Sequence, residues 1–219
     1  MSISAIQVKE LRDATGAGMM DCKRALVEKN GNFDEAVKYL REKGMAKAAK
    51  RAGKTAAEGA VASYIHMGGK IGVLVEVNCE TDFVARGEAF QTFVKDICLQ
   101  ICSASPLWII KEEVPQAAYE DEKSVYVKQA AETGKPQNIC EKIAEGKMNK
   151  WFSEVCLMEQ PFVKDDSKTI KDLLGELTAK CGEKVAIRRF VRFQLGEGIE
   201  RQEQDFAAEV AAELAKVSQ

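Results

Sequence analysis

Thr81, Asp82 and Phe83 put a hydroxyl, a carboxylate and a phenyl ring side by side. At the start of a helix, a hydroxyl or carboxylate accepts hydrogen bonds from the free backbone N–H groups. A neighbouring ring can fold back as a hydrophobic staple. A carboxylate next to a phenyl ring is also an unusual tip, and it could instead face outward. The cap with a tucked ring is the simpler reading of the local sequence, and the outward reading stays open beside it.

The flanking elements place this tip at a corner. Ile71, Val73, Val75, Val77 and Cys79 are apolar at every second position, the period of a strand with one buried face. Phe90, Phe93, Val94, Ile97 and Ile101 recur at helical spacing. The tip therefore lies where a strand gives way to a helix.

Other candidate chemistry is sparse. The chain has one histidine, His66, close to the Gly68-Gly69 turn, with no second histidine or nucleophile near it in sequence, so a general-base role has little support. The seven cysteines include no CxxC pair, which argues against a thiolate–imidazole metal site and for free thiols in a reducing cytoplasm. Met19 and Met20 open a helix together, so at least one is expected to be exposed as an adaptable apolar contact; a loosely packed small core is the alternative. Lys43, Lys47, Lys50, Arg51 and Lys54 suggest either a solvated helical linker or a contact with nucleic acid or an acidic partner. Gly53-Lys54-Thr55 imitates the end of a phosphate loop, but Ala48 stands where that loop needs glycine.

Composition sets the outer bounds. A chain of 219 residues accommodates one or two modest domains, and its net charge of −2 argues against a chain dedicated to nucleic acid. No apolar run has membrane-spanning length, and Met1-Ser2-Ile3-Ser4 lacks the pattern of a secretion signal. No nucleophile elbow, metalloprotease motif, dinucleotide fingerprint or carboxylate dyad appears, so an enzyme is disfavoured.

The order of elements predicts an α+β fold around antiparallel strands. Residues 1–55 read as three short helices followed by the basic linker. Ser4 caps the first helix, which has Ile6 and Leu11 as apolar positions; Asn30-Gly31 ends the second; Asn32 and Glu35 cap the third, which Gly44 ends. Residues 56–111 give a hairpin and the helix packed on it. Residues 112–152 give a helical hairpin that projects from the body, with Ile139, Ile143 and Met148 as the apolar positions of its second helix. Residues 153–200 return to the core through a strand at 154–159, a polar loop at 164–168, a helix from Thr169 to Cys181, and a long strand. In that strand Val185, Ile187, Val191, Phe193 and Leu195 alternate with polar residues. Residues 201–219 are a C-terminal helical module with Phe206, Val210 and Leu214 on one face.

Four groups of segments together resemble the elongation factor Ts family: Leu11 through Lys23, Ala56 through Gly59, Val75 through Val84, and Gln160-Pro161-Phe162-Val163 with Asp205 through Val210. The resemblance implies a guanine nucleotide exchange factor for elongation factor Tu, without covalent chemistry and without a cofactor or metal of its own. The first three helices look like the family's ubiquitin-associated-type domain and residues 112–152 like its coiled-coil protrusion. Thr81, Asp82, Phe83 and Val84 look like the element that disturbs the partner's magnesium site. Leu11, Met19, Met20, His66 and Phe206 are the expected partner contacts. Elongation factor Tu would be met in its GDP-bound and nucleotide-free states.

The chain departs from longer members in having one Gly-Val-Leu-Val hairpin, Gly72 through Val75, where they have two. It looks like a short form, which leaves room for a homodimer through the reduced core. With the family in view, Asp82 and Phe83 are expected to be functional rather than a cap and staple, on a rigid corner that leaves Phe83 exposed. The other readings are an RNA-binding protein using the basic stretch and an adaptor using the N-terminal helices.

Overall fold

A computed structural model describes residues 3–51, 53–132, 134 and 136–199. The predicted C-terminal module, including Phe206, lies outside these residues.

The first helix, α1, is Ala5–Thr15, and Ser4 and Gln7 cap it reciprocally. Gly16 closes it in the left-handed region (φ 66°). Helix α2 is Met19–Glu28. Helix α3 is Phe33–Arg51, with Asn32 accepting from the Glu35 N–H at 3.2 Å. Val8, Leu11, Cys22, Ala25, Leu26, Ala36 and Leu40 form one small core. Ile6, expected to be an inner position, is exposed; Val8, three residues before Leu11, takes that place.

Gly44 does not end α3. The helix runs on to Arg51, and Gly44 is buried where a Cβ would come within 3.0 Å of the Ala179 Cβ. The glycine allows close approach of two helices, at some loss of helix propensity. Its partner is α8, Ile170–Cys181, which Thr169 and Asp172 cap reciprocally. Arg41 also reaches Asp172, at 2.6 Å.

Strands β1 (Glu58–Ile65), β2 (Ile71–Cys79) and β5 (Val185–Gln194) form an antiparallel sheet in the order β1-β2-β5. Its inner face carries Val73, Val75, Val77 and Cys79 against α5, Glu88–Ala104, through Phe90, Phe93, Val94, Ile97 and Ile101. Gly68 and Gly69 both have positive φ and turn the β1–β2 hairpin.

The expected alternation along β5 fails halfway. Glu76 pairs with Arg189 and Val77 with Ile187, so Arg188 is an extra residue on one strand of the ladder. A bulge of one residue reverses which parity faces the core. Val185 and Ile187 are buried, but beyond the bulge Phe190 packs inward while Val191, Phe193 and Leu195 point out; Phe193 is 71% exposed. Arg188 and Arg189 both bond the Glu76 carboxylate, at 2.7 and 2.6 Å, and hold its pKa down to about 2. Exposed Val61 and Leu74 continue the outer apolar face across β1 and β2.

Helices α6 (Gln116–Ala131) and α7 (Gln137–Val155) form the helical hairpin. Its seam is Ala130 with Cys140, Ala144 and Met148; Ile139 is exposed instead. A spacing of four residues carries this seam, and small side chains let the helices approach. Residues 154–159 are not a strand: α7 continues to Val155, and a single 3₁₀ turn covers Leu157–Glu159. Residues 164–168 are not simply a loop, because β4 (Asp165–Thr169) pairs with β3 (Pro161–Phe162). Gln100 and Gln160 are buried at this re-entry. Gln100 donates to the Gln160 Oε1 and the Pro161 carbonyl and accepts from the Val163 N–H.

Candidate functional site

The corner begins where β2 ends. Thr81 has extended backbone (φ −130°, ψ 153°) and caps α4, the single helical turn Asp82–Ala85. Its Oγ1 accepts from the Val84 N–H at 3.4 Å, and its carbonyl accepts from Ala85 at 3.2 Å. Ala85 is buried and Val84 packs partly on the core, so these two side chains anchor the turn. Asp82 and Phe83 lie on the opposite side. Phe83 is 83% exposed, so no staple forms, and the Asp82 carboxylate meets the exposed Arg86, at 2.7 Å. A pair this open to solvent contributes little to stability.

The corner is braced by residues distant in sequence. Thr81 donates through its N–H to Glu183 Oε2 at 3.0 Å and through its hydroxyl to Glu183 Oε1 at 2.8 Å. Glu80 Oε1 accepts from the Lys184 N–H at 2.6 Å and from Arg51 at 2.8 Å. The Lys184 N–H, and then Arg51, hold the Glu80 carboxyl below the ordinary carboxylate range. The Cys79 thiol donates to the Thr81 carbonyl at 3.1 Å, and burial raises its pKa, which keeps it a neutral packing group.

The other singled-out residues are spread over the surface. Met19 and Met20 are both exposed, Met20 at 67%, just after Gly18. Leu11 is 0% exposed and fills the helical core, so its side chain has no surface to offer. His66 is exposed and shares a 3.1 Å hydrogen bond with the Tyr64 hydroxyl through Nδ1. The arrangement joins Thr81, Asp82, Phe83 and Val84 in one turn and connects them to Arg51 at the end of α3. Among the described residues, no group of three or more histidine, cysteine or acidic side chains is placed to hold a metal ion.

Sequence reasoning missed Glu183, Glu80 and Arg51. One signal was available for the two acids. In an antiparallel pair with Cys79 opposite Val185, the next positions face each other as Glu80 with Lys184 and Thr81 with Glu183. Seeing it required knowing that β2 pairs with β5.

An exposed acid–phenyl tip on a braced corner, a helical unit with two bare methionines, and a helical hairpin suit a protein that works by contact. Comparison with known proteins fixes the class. The family model described as Elongation factor TS matches residues 8–197. A protein of Geobacter sulfurreducens named Elongation factor Ts is 62% identical over 212 residues, covering 97% of this chain and 98% of the relative. Relatives of the same name from Geotalea daltonii and Desulforamulus reducens are 60% and 57% identical, each over 97% of this chain and 98% of the relative. These similarities place the chain among the translation elongation factors. Within that class, it belongs to the elongation factor Ts family.

Proposed function

We propose that the chain is a cytoplasmic guanine nucleotide exchange factor for elongation factor Tu and acts without covalent chemistry. The observation that carries this reading is the tip: Phe83 stands 83% exposed beside an exposed Asp82, on a turn fixed by Thr81, Val84 and Ala85. A GTPase holds its nucleotide through phosphate contacts and a magnesium ion, so release requires weakening that constellation. An exchange factor does this by binding the nucleotide-free state more tightly than the nucleotide-bound state; equal affinity for both would shift nothing. Linkage then makes the factor and the nucleotide weaken each other's binding.

In this reading Phe83 is the apolar wedge and Asp82 disturbs the charges around the metal. Met19 and Met20, exposed on the ubiquitin-associated-like helical unit, anchor the GTPase and supply affinity. His66 and Phe206 are further contacts. Residues 1–55, 56–111, 112–152, 153–200 and 201–219 divide these tasks as helical unit with linker, first core part, coiled-coil hairpin, second core part and C-terminal module.

Release of fluorescent GDP from elongation factor Tu tests the reading. Phe83→Ala is expected to lower the release rate, and a variant as fast as wild type sinks the wedge. Met20→Ala is expected to weaken binding more than it slows release. RNA binding is less well supported, because two of the basic side chains in its stretch have partners: Arg51 on Glu80 and Lys43 on the Tyr39 hydroxyl.

A second reading concerns assembly. Val61, Leu74, Val191 and Phe193 make an exposed apolar sheet face, with Leu74 opposite Val191 in register. Apolar patches of this kind mark contact surfaces, which favours a homodimer through the sheet. Sedimentation of the free chain and of Phe193→Lys tests it: the variant is expected to shift toward monomer, and unchanged sedimentation rules this face out.

A further inference from the structure

A tip that works by insertion binds best when its pose is set before contact, because ordering a loose loop on binding costs free energy. We propose that Glu183 is the positioning residue of the Thr81–Val84 corner, with Glu80 as its second anchor. Together they fix the pose in which Asp82 and Phe83 meet the GTPase. The inference rests on the exchange reading above.

The geometry is a reciprocal clasp. Where the β2–β5 ladder stops, each strand end supplies a carboxylate to a backbone N–H of the other. Glu183 accepts from the Thr81 N–H at 3.0 Å, and Glu80 accepts from the Lys184 N–H at 2.6 Å. Hydrogen bonds to an ionised acceptor are about twice as strong as neutral ones.

Glu183 also takes the hydroxyl hydrogen of Thr81, at 2.8 Å. With that hydrogen committed, a lone pair of Oγ1 is left to accept from the Val84 N–H, which is the cap of α4. The distant carboxylate thus orients the cap, and the cap sets the turn that presents the tip. Arg51 binds Glu80 from the end of α3, so the clasp also fixes the corner against the helix leading from the methionine-bearing unit. Both carboxylate oxygens of Glu183 accept from Thr81, and the ring of Phe83 remains exposed. The role is one of pose rather than contact.

The consequence separates rate from affinity. If the methionines supply binding and the tip supplies release, loosening the clasp lowers the limiting rate of GDP release at saturating factor and leaves the half-saturating concentration nearly unchanged. Stopped-flow release of fluorescent GDP from elongation factor Tu, run over a range of factor concentrations, reads both. Glu183→Ala is expected to lower the limiting rate about fivefold, the scale of losing one helix cap. Its half-saturating concentration should move less than about twofold.

Glu183→Gln retains an acceptor for Thr81 and is expected to recover most of the rate. Thr81→Val removes the hydroxyl at nearly constant shape and provides a second variant should Glu183→Ala fail to fold. The Thr81→Val/Glu183→Ala pair is expected to lose less than the product of the single losses, because both act through one cap. Wild-type limiting rates in both single variants, or losses that multiply, overturn the proposal. Phe83→Ala in the same series isolates the cause: a slow Phe83→Ala with a fast Glu183→Ala overturns the positioning role alone, whereas two fast variants overturn the exchange reading itself.

Discussion

Arg51 and Glu80 meet at 2.8 Å, and through that pair the last turn of α3 is tied to the residue preceding the corner. Their side chains are 40% and 19% exposed, so solvent screens the pair and its net contribution to stability is small. Arg51→Ala is expected to lower the unfolding free energy by no more than about 1 kcal/mol, checked by urea titration. A double-mutant cycle with Glu80→Gln should show coupling between the two sites. Strict additivity would mean the contact contributes nothing.

The bulge on β5 carries a pH signature. Arg188 and Arg189 hold the Glu76 carboxyl down to about 2, from an ordinary 4.5. A depressed carboxyl contributes stability that is fully present above its unfolded value. That contribution is lost as pH falls through the window from 4.5 to about 2. Wild type and Glu76→Gln should therefore differ most at neutral pH and converge as the solution is acidified. Urea midpoints measured at pH 7, 4 and 3 check the sign.

Gly44 marks the closest approach of α3 and α8. A leucine there must displace Ala179, whose Cβ stands 3.0 Å from the position the new Cβ would take. Gly44→Leu is expected to destabilise by about 1–3 kcal/mol through overpacking, despite its better helix propensity. Ala179→Gly in the same chain should return part of the loss, and thermal unfolding of the three variants decides it.

Gln100 is fully buried and serves three partners at the re-entry of the chain into the core. Gln100→Leu keeps the approximate volume and leaves the Val163 N–H and the Pro161 carbonyl without this partner. A loss of at least about 2 kcal/mol in unfolding free energy is expected. Hydrogen exchange at Val163 should accelerate with it.

What could be read in advance followed the range of the interaction. The hairpin, α5 and the Ser4 cap depend on neighbours within a few residues, and local periodicity revealed them. The exposure of Phe83 came from the family resemblance, because the local sequence favoured a tucked ring. Gly44 misled because a glycine signals the end of a helix and close helix packing with the same letter; only the presence of Ala179 distinguishes them. Val191 and Phe193 misled because strict alternation cannot show a bulge, which depends on what Glu76 pairs with across the sheet. Glu183 was invisible for the same reason, since its partner Thr81 is 102 positions away.

The extra residue at Arg188 divides β5 into two reading frames. In the first, odd-numbered residues are interior; in the second, even-numbered ones are. A strand of this sequence kept in the first frame from Ile187 onward would fold Val191 and Phe193 inward and turn Phe190 out. Removing Arg188 outright would leave both faces as they are, because the strand would then need no shift. The bulge therefore lets one odd-numbered apolar series, broken at Arg189, serve two clients, the protein's own interior up to Ile187 and the open face beyond it.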